Sequence, residues 1–368
     1  MNNNDKIKVL IVIGTRPNFI KVTRFKEVAA NYANINLKIV HTGQHYDTSM
    51  ADIFFQQFNL TPDYFLNVGA GSPNFQIADI MLKLEELINT KFNPDLILVV
   101  GDVNSTLAGA LTANKLNIKL AHVESGLRSF DETMPEEINR ILTDKICDVY
   151  FVTEASGVEN LKKEGVQNDK IKFVGNTMID TLVNFSDKIE QADILEKHHL
   201  VSQQYVLATL HRPATVDFEA GLKKLIELFE NITKKYKVVF PIHPRTINNL
   251  KKFSLYDALT QNKNLVTTEP LGYFAFQKLI KYSKFIITDS GGIQEESTFL
   301  KVPCLTLRNN TERPITCSEG TNTLIKFDIA EISKLITEVE NGTYKKGKIP
   351  EMWDGKATER IFKYIDML

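Results

Sequence analysis

Lys8-Val9-Leu10-Ile11-Val12-Ile13-Gly14-Thr15-Arg16-Pro17-Asn18-Phe19-Ile20-Lys21 decides how the chain is read. From Val9 to Ile13 every position is apolar, as in a strand buried on both faces. Gly14 and Thr15 permit a tight turn, and Pro17 suits the first turn of a helix, where its missing N–H costs nothing. Arg16 and Lys21 then lie near a positive helix N-terminus, which suits an anion. Alternatively they are two solvated cations on a surface turn. Neither GxGxxG nor GxxxxGK[ST] is present, so nothing points to a dinucleotide fold or a P-loop.

The same unit recurs along the chain. Runs rich in Val, Ile and Leu stand at Lys8–Gly14, Leu37–Gly43, Asp95–Asp102, Leu120–Gly126, Val149–Thr153 and Ile171–Gly175. Helical patterns separate them, which gives βαβ units and a parallel, doubly wound sheet. A polar stretch between about Ser186 and Gln204 carries no strand signal, and then the pattern restarts. The second set is Tyr205–Leu210, Lys237–Ile242, Asn264–Thr268, Lys284–Thr288, Val302–Leu307 and Thr323–Phe327. The expectation is an α/β protein of two Rossmann-like domains, residues 1–180 and 200–350. A last amphipathic helix runs from about Ala357 to Met367, behind the basic loop Lys345-Lys346-Gly347-Lys348.

Composition narrows the function. The 368 residues suit two domains at about 150 residues each. With 44 Lys+Arg against 45 Asp+Glu, the net charge of -1 argues against a nucleic-acid or anionic-membrane binder. The 3 cysteines are scattered, and no CxxC or HExxH occurs, so no disulfide framework or metal site is expected. The run Val9–Ile13 is too short to span a membrane and does not have the shape of a signal peptide. A soluble, cytoplasmic protein is expected.

Doubly wound sheets hold their ligands at the carboxyl ends of the strands, and two such domains usually hold one in the cleft between them. Thr288-Asp289-Ser290-Gly291-Gly292-Ile293-Gln294-Glu295-Glu296 is one such strand end. Its glycines let a phosphate approach the backbone N–H groups, and Glu296 could accept from a ribose hydroxyl. A Gly-rich helix start with two acids favouring the dipole is the plainer alternative. Three carboxylates stand at strand ends of the first half. Asp102 has the spacing of a cap for a helix from Ser105, Glu124 of a partner for Arg128, and Glu136 of an i,i+4 partner for Arg140. Taken together they suit acid/base chemistry instead. His211 and His243 end the first two strands of the second half, each near an Arg, and suit phosphate binding or proton transfer. His198 and His199, in the polar stretch, are expected to be solvated.

Seven motifs occur in order: Gly-Thr-Arg-Pro-x-x-Ile-Lys (14–21), Gly-Asp-x-x-Ser-Thr (101–106), His-Val-Glu-Ser-Gly-Leu-Arg (122–128), Pro-Glu-Glu-Ile-Asn-Arg (135–140), Gly-Asn-Thr-Met-Ile-Asp (175–180), Thr-Asp-Ser-Gly-Gly-Ile-Gln-Glu-Glu (288–296) and Thr-Glu-Arg-Pro (311–314). Together they resemble the bacterial non-hydrolysing UDP-N-acetylglucosamine 2-epimerases over nearly the whole chain. The resemblance implies a glycosyltransferase-B-like fold, with the final helix (357–368) packed on the N-terminal domain. It also implies a homodimer, no cofactor and no metal. The implied reaction inverts carbon 2 of the sugar by eliminating UDP to 2-acetamidoglucal and adding it back. Asp102, Glu124 and Glu136 match the family's acid/base carboxylates, and His211 a histidine near the sugar–phosphate link. Arg16, Lys21, Ser290, Gly291, Gly292, Glu296 and Arg313 match nucleotide-binding positions, and Phe276 a uracil-site aromatic. His243 joins them as a substrate-side group. Which carboxylate serves which sugar face is left open.

The chain also departs from that pattern. Gln44-His45-Tyr46-Asp47 replaces the common Gln-His-Arg-Glu/Gln. Ser72-Pro73-Asn74-Phe75-Gln76 lies where members carry an Arg for a second, activating substrate molecule. Leu210-His211-Arg212-Pro213-Ala214 replaces Gly-His-Arg-Arg-Glu. Some of these segments are similar to relatives acting on a diacetamido uronic acid, so a modified UDP-sugar is the alternative substrate. A glycosyltransferase would leave the three carboxylates without a task. So would a UDP-sugar binding module without catalysis.

Overall fold

The computed structural model describes residues 6–43, 55 and 57–368. The chain forms two units, one of Met1–Asn184 with Glu351–Leu368, the other of Phe185–Pro350. The first unit holds β1 (Ile7–Ile13), β2 (Ile35–His41), β3 (Tyr64–Phe65), β4 (Leu96–Val100), β5 (Lys119–Val123), β6 (Val149–Val152) and β7 (Ile171–Phe173). Among the described residues they make a parallel seven-stranded sheet in the order β3-β2-β1-β4-β5-β6-β7. Apolar residues at every position of β4 explain its place: all of Leu-Ile-Leu-Val-Val is buried, so both faces need cover. One face packs Leu10, Val12, Ile97 and Val99 against Ile80, Leu84 and Leu87 of the helix Pro73–Thr90. The chain runs from β1 outward to β2 and β3, then returns to β4 on the other side of β1. The strand order therefore reverses between β1 and β4.

The second unit repeats the plan with β8 (Tyr205–Thr209), β9 (Lys237–Pro241), β10 (Leu265–Thr268), β11 (Ile286–Thr288), β12 (Cys304–Thr306) and β13 (Asn322–Leu324). Its parallel six-stranded sheet has the order β10-β9-β8-β11-β12-β13. Here the reversal falls between β8 and β11. Each run read as a strand from the sequence overlaps one, with β1, β2, β5 and β13 beginning one or two residues before their runs. The edge strand β3 was not foreseen, because two residues beside Val40 and His41 carry no periodicity.

The polar stretch after residue 185 is not an open linker. It forms the short helices Ser186–Gln191 and Ile194–Lys197, within the second unit. Ile194 and Leu200 are buried in a cluster with Tyr205 and Leu207. Lys278, on the helix Tyr273–Tyr282, donates to the carbonyls of Glu190 and Ala192. Buried apolar residues five and six positions apart, Ile189, Ile194 and Leu200, were enough to anchor it.

The helix Ala357–Ile365 belongs to the first unit. Its Phe362 meets the edge of Phe25 at 5.5 Å between ring centroids. The Asp180 carboxylate caps its start, accepting from Ala357 N (3.0 Å), Thr358 N (2.6 Å) and Thr358 Oγ1 (2.7 Å). These are first-turn donors that the helix itself cannot satisfy. Trp353, 1% exposed, donates from Nε1 to the Thr153 carbonyl at 3.0 Å. Much of the 175–180 motif is therefore a dock for the chain's last helix. Among the described residues, no helix is long and apolar enough to cross a membrane.

Asp180→Ala removes three hydrogen bonds to one buried carboxylate. It is expected to cost about 2 kcal/mol or more of unfolding free energy, read from urea denaturation.

Candidate active site

In the first unit the functional side chains gather where the strand order reverses. After β1 the chain enters the helix Arg16–Lys21, with Pro17 in its first turn. Arg16 is exposed on the surface, whereas Lys21 is buried and forms an ion pair with Glu124, just past β5. The two side chains are 6% and 3% exposed. Glu124 itself sits at φ +71°, a left-handed conformation that a branched or bulky residue would resist. Between them lies Gly101, at φ +69°, immediately after β4. A Cβ there would stand 3.2 Å from Asn18 Nδ2, 3.3 Å from Lys21 Nζ and 3.4 Å from Glu124 Oε2. A Cβ there would crowd all three by a few tenths of an ångström, and the positive φ at 101 itself favours glycine.

Asp102 follows directly. Its carboxylate pairs with Arg140, a 3% exposed guanidinium that also pairs with Glu137. Glu137 is fully buried and accepts from Ser129 N, Ser129 Oγ and Phe130 N at 2.9–3.0 Å. Arg140 thus ties Asp102 to a fixed loop. Asp102 does not cap the following helix, Asn104–Lys115, whose N-cap is Val103. Nor does Glu124 serve Arg128, which pairs with Asp144 and Glu164. Glu136 leaves Arg140 to Glu137 one residue later; it is exposed, in the first turn of the helix Pro135–Lys145. Among the described residues it has no hydrogen-bond or ion-pair partner. All three of the structural alternatives weighed for these acids fail.

Behind Gly101 lies a buried support. His122 Nε2 is 2.8 Å from the Gly101 carbonyl, and Nδ1 is 2.7 Å from Asp144 Oδ1. A carbonyl only accepts, so Nε2 carries a hydrogen. Burial opposes the Asp144 charge, but His122 and Arg128 outweigh it and hold the carboxyl below its usual range.

In the second unit the glycine-rich turn leads from β11 into the helix Gly292–Phe299, whose N-cap is Gly291. Ser290, Gly291 and Gly292 are partly exposed at this helix start. A Cβ on Gly291 would lie 2.8 Å from Glu312 Oε1, 3.5 Å from Arg313 Nη1 and 3.7 Å from Arg308 Nη1. Two guanidiniums therefore converge on the turn. Arg313, 6% exposed, is held by Glu295 and Glu312, while Glu312 also pairs with Arg308 at 3.2 Å. Burial, and then the charges of Arg212 and Arg313, lower the Arg308 pKa from its ordinary value despite the pull of Glu312. Guanidiniums gathered beside a helix N-terminus are surroundings that favour an anion.

His211, after β8, has its Nδ1 3.2 Å from Asp289 Oδ1. Its ring stacks on that of His243, after β9, with centroids 5.5 Å apart and planes at 30°. His243 Nδ1 accepts from Arg245 N at 3.1 Å. Burial first, then His211 and Arg245, lower its pKa. Phe276 lies on the helix Tyr273–Tyr282, partly buried against the core beside β8. That helix packs on Gly292–Phe299, which carries the 4% exposed Glu296. Burial, and then the Glu296 charge, push the Tyr273 phenol well above its usual pKa.

The family model described as UDP-N-acetylglucosamine 2-epimerase matches residues 27–366. The chain belongs to this family. Among the relatives of this 2-epimerase, a Methanococcus maripaludis UDP-N-acetylglucosamine 2-epimerase homolog is 45% identical over 350 residues, covering 93% of this chain and 96% of the relative. The Methanocaldococcus jannaschii UDP-N-acetylglucosamine 2-epimerase is 42% identical over 98% of this chain and 99% of its own. Its crystal structure with UDP-GlcNAc and UDP matches with a TM-score of 0.87, covering 98% of this chain and 100% of that one. The Pseudomonas aeruginosa UDP-2,3-diacetamido-2,3-dideoxy-D-glucuronate 2-epimerase is 38% identical over 98% of this chain and 100% of the relative. The pair of Rossmann-like units is the glycosyltransferase-B-like fold of these enzymes.

Within this family member the structure joins Lys21 to Glu124 beside Asp102, His211 to His243, and Gly291 to Arg313. Among the described residues, Glu136 has no hydrogen bond or ion pair with the other candidates, and Phe276 is placed only by its helix. The segment Gln44-His45-Tyr46-Asp47 lies outside the described residues. Sequence reasoning assigned no role to Asp289, Arg308 or Glu137, although Asp289 adjoins Ser290 and Arg308 stands five residues before Arg313.

Lys21→Met leaves the Glu124 charge buried without its counter-ion. It is expected to lower stability by about 3 kcal/mol. Adding Glu124→Gln should restore most of that loss in a denaturation double-mutant cycle.

Proposed function

We propose that this protein converts UDP-N-acetylglucosamine to UDP-N-acetylmannosamine by inverting carbon 2. The observation that carries the proposal is the placement of Asp102 and Glu124 after adjacent strands at the reversal point of the first sheet. A base removes the proton from carbon 2, the anomeric C–O bond breaks, and UDP leaves with the bonding pair, giving 2-acetamidoglucal. Protonation of carbon 2 from the other face and return of the UDP oxygen to carbon 1 complete the inversion. The reaction therefore needs two proton-transfer groups on opposite sugar faces. Asp102, Glu124 and Glu136 supply them, the first two held by Arg140 and Lys21, the third open to solvent. The departing diphosphate goes to Ser290–Gly292 and the cations Arg308 and Arg313, with Arg16 and Lys21 also on the nucleotide. His211 acts at the sugar–phosphate link with His243 beside it, Glu296 accepts from the ribose, and Phe276 meets the uracil.

A second reading, inversion of UDP-2,3-diacetamido-2,3-dideoxy-D-glucuronate, is favoured by the Pseudomonas relative at 38% identity. We also infer a homodimer. Helices Pro73–Thr90 and Pro135–Lys145 leave Leu82 67% and Leu142 47% exposed, and apolar surface of this kind suits burial against a second copy. Sedimentation equilibrium should give twice the chain mass.

Proton NMR in deuterium oxide tests the reaction. UDP-N-acetylglucosamine should exchange its carbon-2 hydrogen while UDP-N-acetylmannosamine appears. No exchange with this sugar but exchange with the diacetamido uronate would favour the second reading. Asp102→Asn and Glu136→Gln should each lower kcat about 100-fold or more and keep UDP affinity. Wild-type rates in both would overturn the assigned roles.

A further inference from the structure

Asp289, at the end of β11, faces the histidine that follows β8. It is fully buried, and the sheet rather than a loop fixes it. Its N–H donates to the Thr209 carbonyl at 3.1 Å, extending the pairing of β11 with β8 by one residue. Its Oδ2 accepts from His211 N at 2.9 Å and from Arg212 N at 2.8 Å. One oxygen thereby shapes the turn that carries His211.

The other oxygen has a different task. Oδ1 lies 3.2 Å from His211 Nδ1, off the line of a hydrogen bond, and no group donates to it. A buried carboxylate oxygen without a donor is costly, and two lone pairs face to face would repel. A hydrogen on Nδ1 turns that repulsion into attraction and gives Oδ1 its nearest donor, which a small turn of the exposed ring would align. His243 closes off one face of the His211 ring by stacking, and is itself fixed by Arg245 N. The His211 side chain is nevertheless 42% exposed, and its Nε2 has no partner among the described residues.

We infer that Asp289 is a positioning residue: it holds His211 in the tautomer with hydrogen on Nδ1, so that the lone pair of Nε2 is presented outward. This rests on the reading of His211 as a group at the sugar–phosphate link. A proton taken up at Nε2 gives an imidazolium whose Nδ1–H still faces the carboxylate. No second proton has to move, and the charge formed is met by one already in place.

Long-range proton–nitrogen NMR of the nitrogen-15-labelled wild-type protein reads the tautomer directly. The His211 ring is expected to show a protonated Nδ1 and a bare Nε2; a hydrogen on Nε2 alone would overturn the inference. Asp289→Asn supplies the second arm. The amide oxygen can keep the two backbone N–H groups of His211 and Arg212, while its NH2 then faces Nδ1 and drives the hydrogen to Nε2. The tautomer signal is expected to reverse. With UDP-N-acetylglucosamine, kcat should fall at least about 100-fold while KM and UDP affinity stay within about threefold. An unchanged kcat, or a loss confined to KM, would overturn the role. If the variant does not fold, the wild-type spectrum still decides. If wild-type protein does not turn over this sugar, the proposed reaction fails, while the tautomer signals test Asp289 independently.

Discussion

Opposite charges that can be buried only together organise the first unit. A lysine or a glutamate alone at the reversal point of the first sheet would carry a desolvation penalty of several kcal/mol. Lys21 and Glu124 cancel that penalty for each other, with Gly101 packed closely between them. Their contact links the chain after β1 to the chain after β5 across the end of β4. Asp102 then has its backbone direction set by the glycine before it and its carboxylate set by Arg140. His122 supports the same glycine from below through its carbonyl. Four sequence motifs thus meet in one network of charges, and the acids are held without being consumed by ordinary capping.

The second unit answers the same problem with cations. Arg308 and Arg313 crowd the turn into Gly292–Phe299, and Glu295 and Glu312 hold them there although like charges repel. An arrangement of this kind lowers the reorganisation needed when an anion arrives, because the donors already point to one place. On the function proposed above, a bound diphosphate would offset the remaining crowding.

How much of this was legible in the sequence depends on the range of the interaction. The sheets were legible because parallel strands buried on both faces are apolar at consecutive positions, as Leu96–Val100 shows. The strand-end acids were legible as residue types in motifs. Their partners were not: Glu124 with Lys21 and Asp102 with Arg140 span many residues, and the local spacings suggested Arg128 and a helix cap instead. The nearest misreading was Arg140, which chose Glu137 over Glu136 because the i,i+3 residue is the buried one. Asp289 stayed unassigned because its partner lies 78 residues away in the chain. The helices after residue 185 escaped notice because their anchoring side chains are few.

The last helix has a consequence for biogenesis. It completes a unit whose other residues are synthesised before the whole of the second unit, since Glu351–Leu368 follows Phe185–Pro350. The helix Thr177–Asn184, which carries its cap Asp180, also touches the helix of Lys21: Thr181 Oγ1 donates to the Ile20 carbonyl at 2.6 Å. A nascent chain can therefore complete its second unit while the first still awaits the helix that packs on it. Packing of the first unit is thus coupled to a segment made one whole unit later in the chain.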